Sequence, residues 1–185
     1  MSETVSMDFG DFDIEELKEA IRNELREELL GGELEEERSE KDFPWIIFSI
    51  DGTEYGVNSK YVSSVEIIGK ITPIVDAASY CPGITQSRGD MIDLLDLRAL
   101  FGLGDYVAAR ASGDDVMMMV LETENKKRGV IVDEIVSVEY ISEFLGEAAK
   151  DSDGAVSSQY IREVAKREKL DNPVLILNPE SLNAL

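Results

Sequence analysis

The spacing of apolar positions changes once along the chain. In the first part, Ile14, Leu17, Ile21, Leu25 and Leu29 fall three or four apart, along one helical stripe. Asp13 followed by Glu16 resembles a capping box, and Gly31-Gly32 supply a stop, so a helix is expected from about Ile14 to Leu30. From Trp45 onward the period becomes two and β-formers dominate. Trp45 to Ile50 predicts a strand, Asp51-Gly52 a tight hairpin turn, and Glu54 to Val57 the returning strand. Ser59 to Val65 is expected to be a short helical turn capped by Ser59. Lys70 to Ile74 predicts a short strand or edge, because Pro73 cannot donate to a ladder. A hairpin follows, with Ile84 to Ser87, a turn at Arg88-Gly89-Asp90, and Met91 to Leu95. Leu97 to Phe101 is a short helix that Gly102 ends.

The second half restarts the same series. Val116 to Leu121 and Arg128 to Val132 flank a turn at Glu124-Asn125-Lys126. Asp133 to Ile135 is expected as a short helical turn and Val136 to Ile141 as a strand. Glu143 to Ser158 is expected as a loop, Tyr160 to Leu177 as a hairpin with its turn near Asp171, and Pro179 to Leu182 as an echo of Leu97 to Leu100. Gly56 and Gly129 hold the same place, each just after a hairpin turn. Two such units of about 70 residues, with many short strands and close turns, predict two small barrels. Neither is long enough to bury a large core alone, so the two should pack together with a groove at their seam. The expected division is an acidic tail over 1–42 and a barrel domain over 43–185. Within that domain, one barrel spans about 43–104 and the other about 114–185, not cleanly separable, with Asp105 to Asp114 as connector.

Charge sharpens this division. The chain carries 39 acidic and 18 basic residues, a formal net charge of -21. Residues 1–43 hold 16 of the acids and 5 of the bases, with few β-branched or aromatic residues, so they are expected outside the main fold. A surface this acidic repels phosphate backbones and anionic lipid heads. It argues against a small-barrel protein that binds RNA or ribosomes. There is no histidine, which excludes a Ser-His-Asp or Cys-His catalytic set and any histidine metal ligand on this chain. The one cysteine, Cys81, can form no intramolecular disulfide and no thiolate metal site by itself. No compact Asp/Glu constellation suggests carboxylate catalysis. No cofactor is expected. No stretch has the roughly 18 consecutive apolar residues of a membrane span, and the first residues lack the pattern of a signal peptide. A cytoplasmic protein without direct membrane insertion is the expectation.

Specific runs then point to a family. Tyr80-Cys81-Pro82-Gly83-Ile84-Thr85-Gln86-Ser87-Arg88-Gly89, the strand Met91 to Leu95, Asp96-Leu97-Arg98 and Phe101-Gly102-Leu103 together resemble the signature of CheW-like chemotaxis adaptor (coupling) proteins. In the second half, Gly129-Val130-Ile131-Val132-Asp133-Glu134-Ile135 is similar to the family's Gly-apolar-apolar-Val-Asp-Glu-Val. Tyr160 to Ala165 with Val174 to Leu177 is similar to its last hairpin. The resemblance runs from about Phe43 to Leu182. It implies a mainly β fold of two SH3-like five-stranded β-barrels packed side by side with short helices, here extended by the N-terminal acidic helix. It also implies a non-catalytic signal-transduction adaptor that links methyl-accepting chemoreceptors to the CheA histidine kinase. The implied partners are a CheA-type kinase regulatory domain, a chemoreceptor cytoplasmic tip and other CheW-like domains, with membrane association only through receptor arrays. A scaffold of a chemotaxis-like pathway with another output is the alternative. Gln86-Ser87 stand where the family carries Asn-Leu, and Pro82, Thr85 and Asp93 also depart from the pattern.

The candidate partner-binding residues are Gln86, Arg88, Gly89, Arg98, Val62 and Val65. Gly52, Gly56, Asp96 and Gly129 are candidate turn or cap residues. Arg88, at the mouth of its hairpin, can fork onto carboxylates of a helical partner or form an internal salt bridge, most plausibly to Asp96. Asp96 is expected to cap the short helix. Arg98 is either a partner contact or solvated. Val62 and Val65 are either core or interface. In Met117-Met118-Met119, alternate members should face the core, leaving an outward one for a partner seam.

Overall fold

The computed structural model describes residues 18–23, 39–106, 115–124, 126–147, 159–167 and 170–185. Residues 18–23 form a helix, α1. The rest of the expected helix from Ile14 to Leu30 lies outside the described residues. Among the described residues eleven strands follow: β1 Trp45–Ile50, β2 Thr53–Asn58, β3 Val62–Ile67, β4 Ile84–Ser87, β5 Asp90–Asp96, β6 Met117–Thr123, β7 Lys126–Val132, β8 Glu134–Glu139, β9 Glu143–Glu147, β10 Ile161–Arg167 and β11 Leu170–Leu177. Short helices α2 (Leu97–Leu100) and α3 (Pro179–Asn183) end the two repeats.

The strands form two sheets, in the orders β8-β1-β2-β11-β10-β9 and β3-β6-β7-β5-β4. Each sheet draws from both sequence halves. The hairpin β1-β2 of the first half sits among β8 to β11 of the second, and the hairpin β6-β7 of the second sits among β3 to β5 of the first. The two halves therefore exchange hairpins, and a division at 43–104 and 114–185 does not follow the sheets. The exchange creates one parallel pair in each sheet, β2 with β11 and β5 with β7. Gly56 lies in the first of these pairs, opposite Ile176, and Gly129 in the second, opposite Leu94. A Cβ on Gly56 would stand 2.9 Å from Ile176 Cδ1, and one on Gly129 would stand 2.9 Å from Leu94 Cδ2. Both glycines are thus needed for close packing inside a barrel rather than for a turn. Gly52, by contrast, is a turn residue, with φ +77.

Among the described residues three apolar clusters form the core. One lines the inside of the first sheet (Trp45, Ile47, Ile141, Ala165, Val174, Ile176), and another the inside of the second (Ile68, Ile92, Leu94, Met118, Val120, Ile131). The largest draws from both sheets: Ile46, Phe48 and Tyr55 from one, Val62, Val65, Leu95, Met119 and Val130 from the other. Central strands are therefore buried on both faces, which explains their near-continuous apolar runs. The methionine run follows the same rule. Met118 points into one barrel, Met119 into the shared core, and Met117 is half-buried against that core. No member is left as an outward contact.

Several local expectations are corrected. Val62–Ile67 is strand, with only Ser59–Tyr61 as a 3-10 turn, capped by Asn58 rather than Ser59. Glu134–Glu139 is strand from its first residue, not a helical turn. Glu143–Glu147 is a strand on the edge of its sheet rather than loop. Lys70 to Ile74 contributes only the isolated bridge Thr72 to Ile84. The expectation that residues 1–42 stand apart from the fold is corrected at two places. Ile21 packs against the shared core, and Glu40 is ion-paired to Arg162 on β10.

Candidate functional site

The hairpin β4-β5 closes on two residues, Arg88 and Gly89, between the paired Ser87 and Asp90. Both central residues have positive φ, +49 and +97, the arrangement that suits the right-handed twist of a two-residue hairpin. Glycine takes this conformation freely, whereas arginine pays about 1 kcal/mol for it. The fold thus holds an arginine at the tip of a hairpin at some cost. Its side chain is 61% exposed and stands 3.5 Å from Glu66 Oε1 through Nε. The internal carboxylate is Glu66, and the expected pairing with Asp96 is not made. Gln86 and Gly89 flank Arg88 and are exposed.

Glu66 also explains Ser87. The Ser87 hydroxyl donates to Glu66 Oε1 at 2.9 Å, and the Ser64 hydroxyl donates to the same oxygen at 2.5 Å. β3 and β4 are the two edges of their five-stranded sheet, so this contact joins edge to edge and closes the barrel. The Ser87 hydroxyl is therefore a clasp. Thr85 works beside it, donating to the Lys70 carbonyl at 3.0 Å.

Beside the hairpin opens a cleft of about 320 Å³. Val62, Ile92 and Val120 supply its apolar wall, and Lys60, Arg88 and Lys127 bring three cations to its lining. Asp90 and Glu122 line it as well, and Lys127 lies 3.7 Å from each. Arg88 is the most exposed of the three cations, so it is the best placed to take a carboxylate from outside. The volume of the cleft lies at the small end of the range of ligand pockets.

The remaining candidates sort into core and structural roles. Val65 is 2% exposed and belongs to the shared core, so it offers no contact surface. Val62 is buried in the same core and reaches the cleft only as part of its wall. Arg98, 13% exposed, is neither solvated nor open to a partner. Its guanidinium binds Asp133 through Nε at 3.3 Å and through Nη2, and Asp51 through Nη1 at 3.0 Å. Asp133 Oδ2 also accepts from the Asp51 amide at 2.9 Å. The Asp-Leu-Arg motif of the first half is thereby pinned to the Val-Asp-Glu motif of the second. Hydrogen bonding to Asp133 raises the Arg98 pKa most, and Asp51 adds to it, against a smaller effect of burial.

Asp96 is the expected cap. Oδ1 accepts from the amides of Arg98 at 3.0 Å and Ala99 at 3.5 Å, and Oδ2 from the Tyr106 amide at 2.9 Å. Burial pushes its carboxyl upward and the charge of Asp105 adds to this, against the pull of the three amides. Asn178 repeats the cap at α3, accepting from Glu180 and Ser181.

Two polar clusters escaped the sequence reading. Glu40, expected in the acidic tail, receives a two-pronged contact from Arg162, at 3.2 and 2.7 Å. Tyr61 donates to it at 3.0 Å, and Lys60 stands 3.5 Å away. Burial opposes ionisation of Glu40, yet these donors and charges hold its pKa below the ordinary 4.5. Arg167, 9% exposed, binds Glu54 at 3.1 Å, the Ser137 hydroxyl at 3.1 Å, and Glu139. Neither cluster has a local sequence signal, because each joins residues far apart in the chain. Among the described residues no group of Cys, Asp and Glu is arranged to hold a metal. Among the same residues no helix is long and apolar enough to cross a membrane.

Paired barrels with exchanged hairpins, two capped terminal helices and an arginine-tipped β4-β5 turn define a duplicated β scaffold whose distinctive chemistry lies at its surface. The CheW-like domain model matches residues 44–184, and the chain belongs to the CheW-like family. It is 24% identical over 131 residues to the chemotaxis protein CheW of Treponema pallidum (strain Nichols), covering 70% of this chain and 76% of that protein. It is 26% identical over 123 residues to the chemotaxis protein CheW of Bacillus subtilis (strain 168), covering 66% and 76%. In fold it is similar to the crystal structure of the scaffolding protein TtCheW from Thermoanaerobacter tengcongensis. That match has a TM-score of 0.62 and 24% identity, and covers 74% of this chain and 88% of the other.

Proposed function

We propose that this protein is a non-catalytic adaptor of bacterial chemotaxis that links methyl-accepting chemoreceptors to a CheA-type histidine kinase. The observation that carries the reading is the Arg88-Gly89 hairpin on a CheW-like scaffold. Its arginine is exposed at a strained turn, beside a cleft with two further cations, on a chain of net charge -21. On such a surface an exposed arginine can bind carboxylates of a partner as a fork. Receptor-tip helices are the proposed source of those carboxylates, and Gln86, Arg88 and Gly89 the proposed contact. The kinase regulatory domain, itself CheW-like, is the proposed second partner. In this reading the protein is cytoplasmic and reaches the membrane only through receptor arrays.

The test is a mixing experiment. The full chain is combined at tens of micromolar with the regulatory domain of the cognate kinase, and separately with a receptor-tip hairpin. Co-elution with the kinase domain is expected. If neither partner co-elutes, the adaptor reading is wrong.

A further inference from the structure

Glu40 lies outside the family match, which begins at residue 44, yet the side chains that bind it lie inside. Arg162 of β10 forks onto its carboxylate, with Nη1 3.2 Å from Oε1 and Nη2 2.7 Å from Oε2. Tyr61 donates to Oε1 at 3.0 Å, and Lys60 Nζ stands 3.5 Å from the same oxygen. Asn58, 1% exposed on β2, donates through Nδ2 to the Glu40 carbonyl at 2.7 Å. Side chains from β2, the Ser59–Tyr61 turn and β10 thus converge on one residue. They read its carboxylate and its peptide carbonyl together.

Little else attaches that residue. Glu40–Asp42 is a single 3-10 turn with no buried residue, and Ser39 and Asp42 cap it by bonds within the turn. The chain is fixed again at Pro44, which is buried and accepts from the Ser59 amide at 2.9 Å. The turn is therefore held to the barrels mainly by the polar contacts of Glu40. Charge makes the site selective. Arg162 also binds Glu163 at 2.9 Å, so two cations, Arg162 and Lys60, face two carboxylates. Withdrawing Glu40 leaves a local positive charge on a chain of net charge -21. It also leaves the buried Asn58 amide without its acceptor, a state that favours refilling by another peptide.

We propose that Asn58, Lys60, Tyr61 and Arg162 form a binding site for a glutamate within an acidic peptide, and that this chain fills the site with its own Glu40. An acidic segment of a partner enters by displacing the Glu40–Asp42 turn, which acts as a plug. The class of ligand follows from the contacts: a fork and a lysine for the carboxylate, a hydroxyl beside them, and a carboxamide for the carbonyl of the same residue. The proposal does not rest on the adaptor reading, and its failure leaves that reading untouched.

The experiment uses the full chain, its Glu40→Ala and Glu40→Gln variants, and a fluorescent acetylated peptide of the sequence Ser39–Pro44. The E40A chain is expected to bind this peptide at least about tenfold more tightly than the unaltered chain does. It should also prefer it at least about tenfold over the same peptide with glutamine in place of glutamate. E40Q, which keeps the shape of the turn, should change in the same direction. Equal binding of the two peptides by E40A, or no gain over the unaltered chain in either variant, overturns the proposal. Acetate replaces the atoms lost in E40A, and is compared at about 50 mM with chloride at equal ionic strength. It is expected to raise the Tm of E40A and not that of the unaltered chain. Rescue by acetate without binding of the peptide would overturn the assignment of a peptide as the ligand.

Discussion

Glu66 and Glu139 stand 73 residues apart, the same offset as Gly56 and Gly129, and each closes its own barrel. Each accepts a hydroxyl two residues earlier on its strand, from Ser64 and Ser137. Each also reaches across from one edge of its sheet toward the far end, to Ser87 on β4 and to Arg167 on β10. The difference lies in which residue makes the clasp. In the first-sheet barrel a buried arginine does so. In the other a serine does, and the neighbouring Arg88 is left in solvent. The duplicated scaffold thus uses one arginine in structure and leaves another exposed.

Removing the Ser87 clasp should cost stability and little else. Ser87→Ala is expected to destabilise the fold by about 1 kcal/mol, the ordinary value of a part-buried hydrogen bond. Urea unfolding of S87A, E66Q and the double variant measures it. The two effects should be less than additive, because both remove the same contact.

The two arginines of the motifs should separate cleanly. Arg98→Ala breaks a nearly buried network with Asp133 and Asp51 and is expected to cost about 2–3 kcal/mol. Arg88→Asn replaces a strained arginine with a residue suited to positive φ before glycine, so it should stabilise by about 0.5–1 kcal/mol. The same R88N variant should weaken receptor-tip binding about tenfold. Thermal unfolding combined with one binding titration distinguishes them. An R88N chain that binds the receptor tip as well as the unaltered chain would remove Arg88 from the interface.

Gly56→Ala and Gly129→Ala should each cost about 1–3 kcal/mol by overpacking. Both added methyls meet side-chain carbons at 2.9 Å inside a barrel. Because they strain separate clusters, the double variant should show the sum of the two effects in denaturant titration.

Glu40 supplies the pH dependence. Its folded pKa is depressed, so its contribution is fully present above the unfolded value near 4.5 and is lost as pH falls through the lower folded value. The stability difference between the unaltered chain and Glu40→Gln should therefore shrink as pH drops below about 4.5. Comparing the two proteins at each pH cancels the titration of the other carboxylates. Tryptophan fluorescence is a convenient probe, since Arg162 stacks 5.8 Å from the Trp45 ring.

Hairpins were the most legible part of the fold, because Asp51-Gly52 and Arg88-Gly89 carry turn chemistry between apolar runs. The strand β3 and the first two residues of β8 read as helical turns for one shared reason. Their ladders shift register, at Val62/Ser64 in one and opposite Ile47/Phe48 in the other. A bulge breaks the period of two, leaving Val62 and Val65 at a helical spacing. β9 reads as loop because an edge strand with two glutamates and a glycine carries little apolar signal. The exchange of hairpins has no local trace at all, since the repeat is the same whichever partner sheet it joins. Of the site, Arg88 and Gly89 were legible through their motif. The partners of Arg88 and Arg98 were not, because Glu66, Asp51 and Asp133 are brought near only by the closed barrels.

The most direct measurement is calorimetric titration of the full chain with the regulatory domain of its cognate CheA-type kinase. A saturable one-to-one interaction with Kd of about 10 µM or tighter is predicted. No binding up to about 100 µM of a correctly folded kinase domain would contradict the adaptor account.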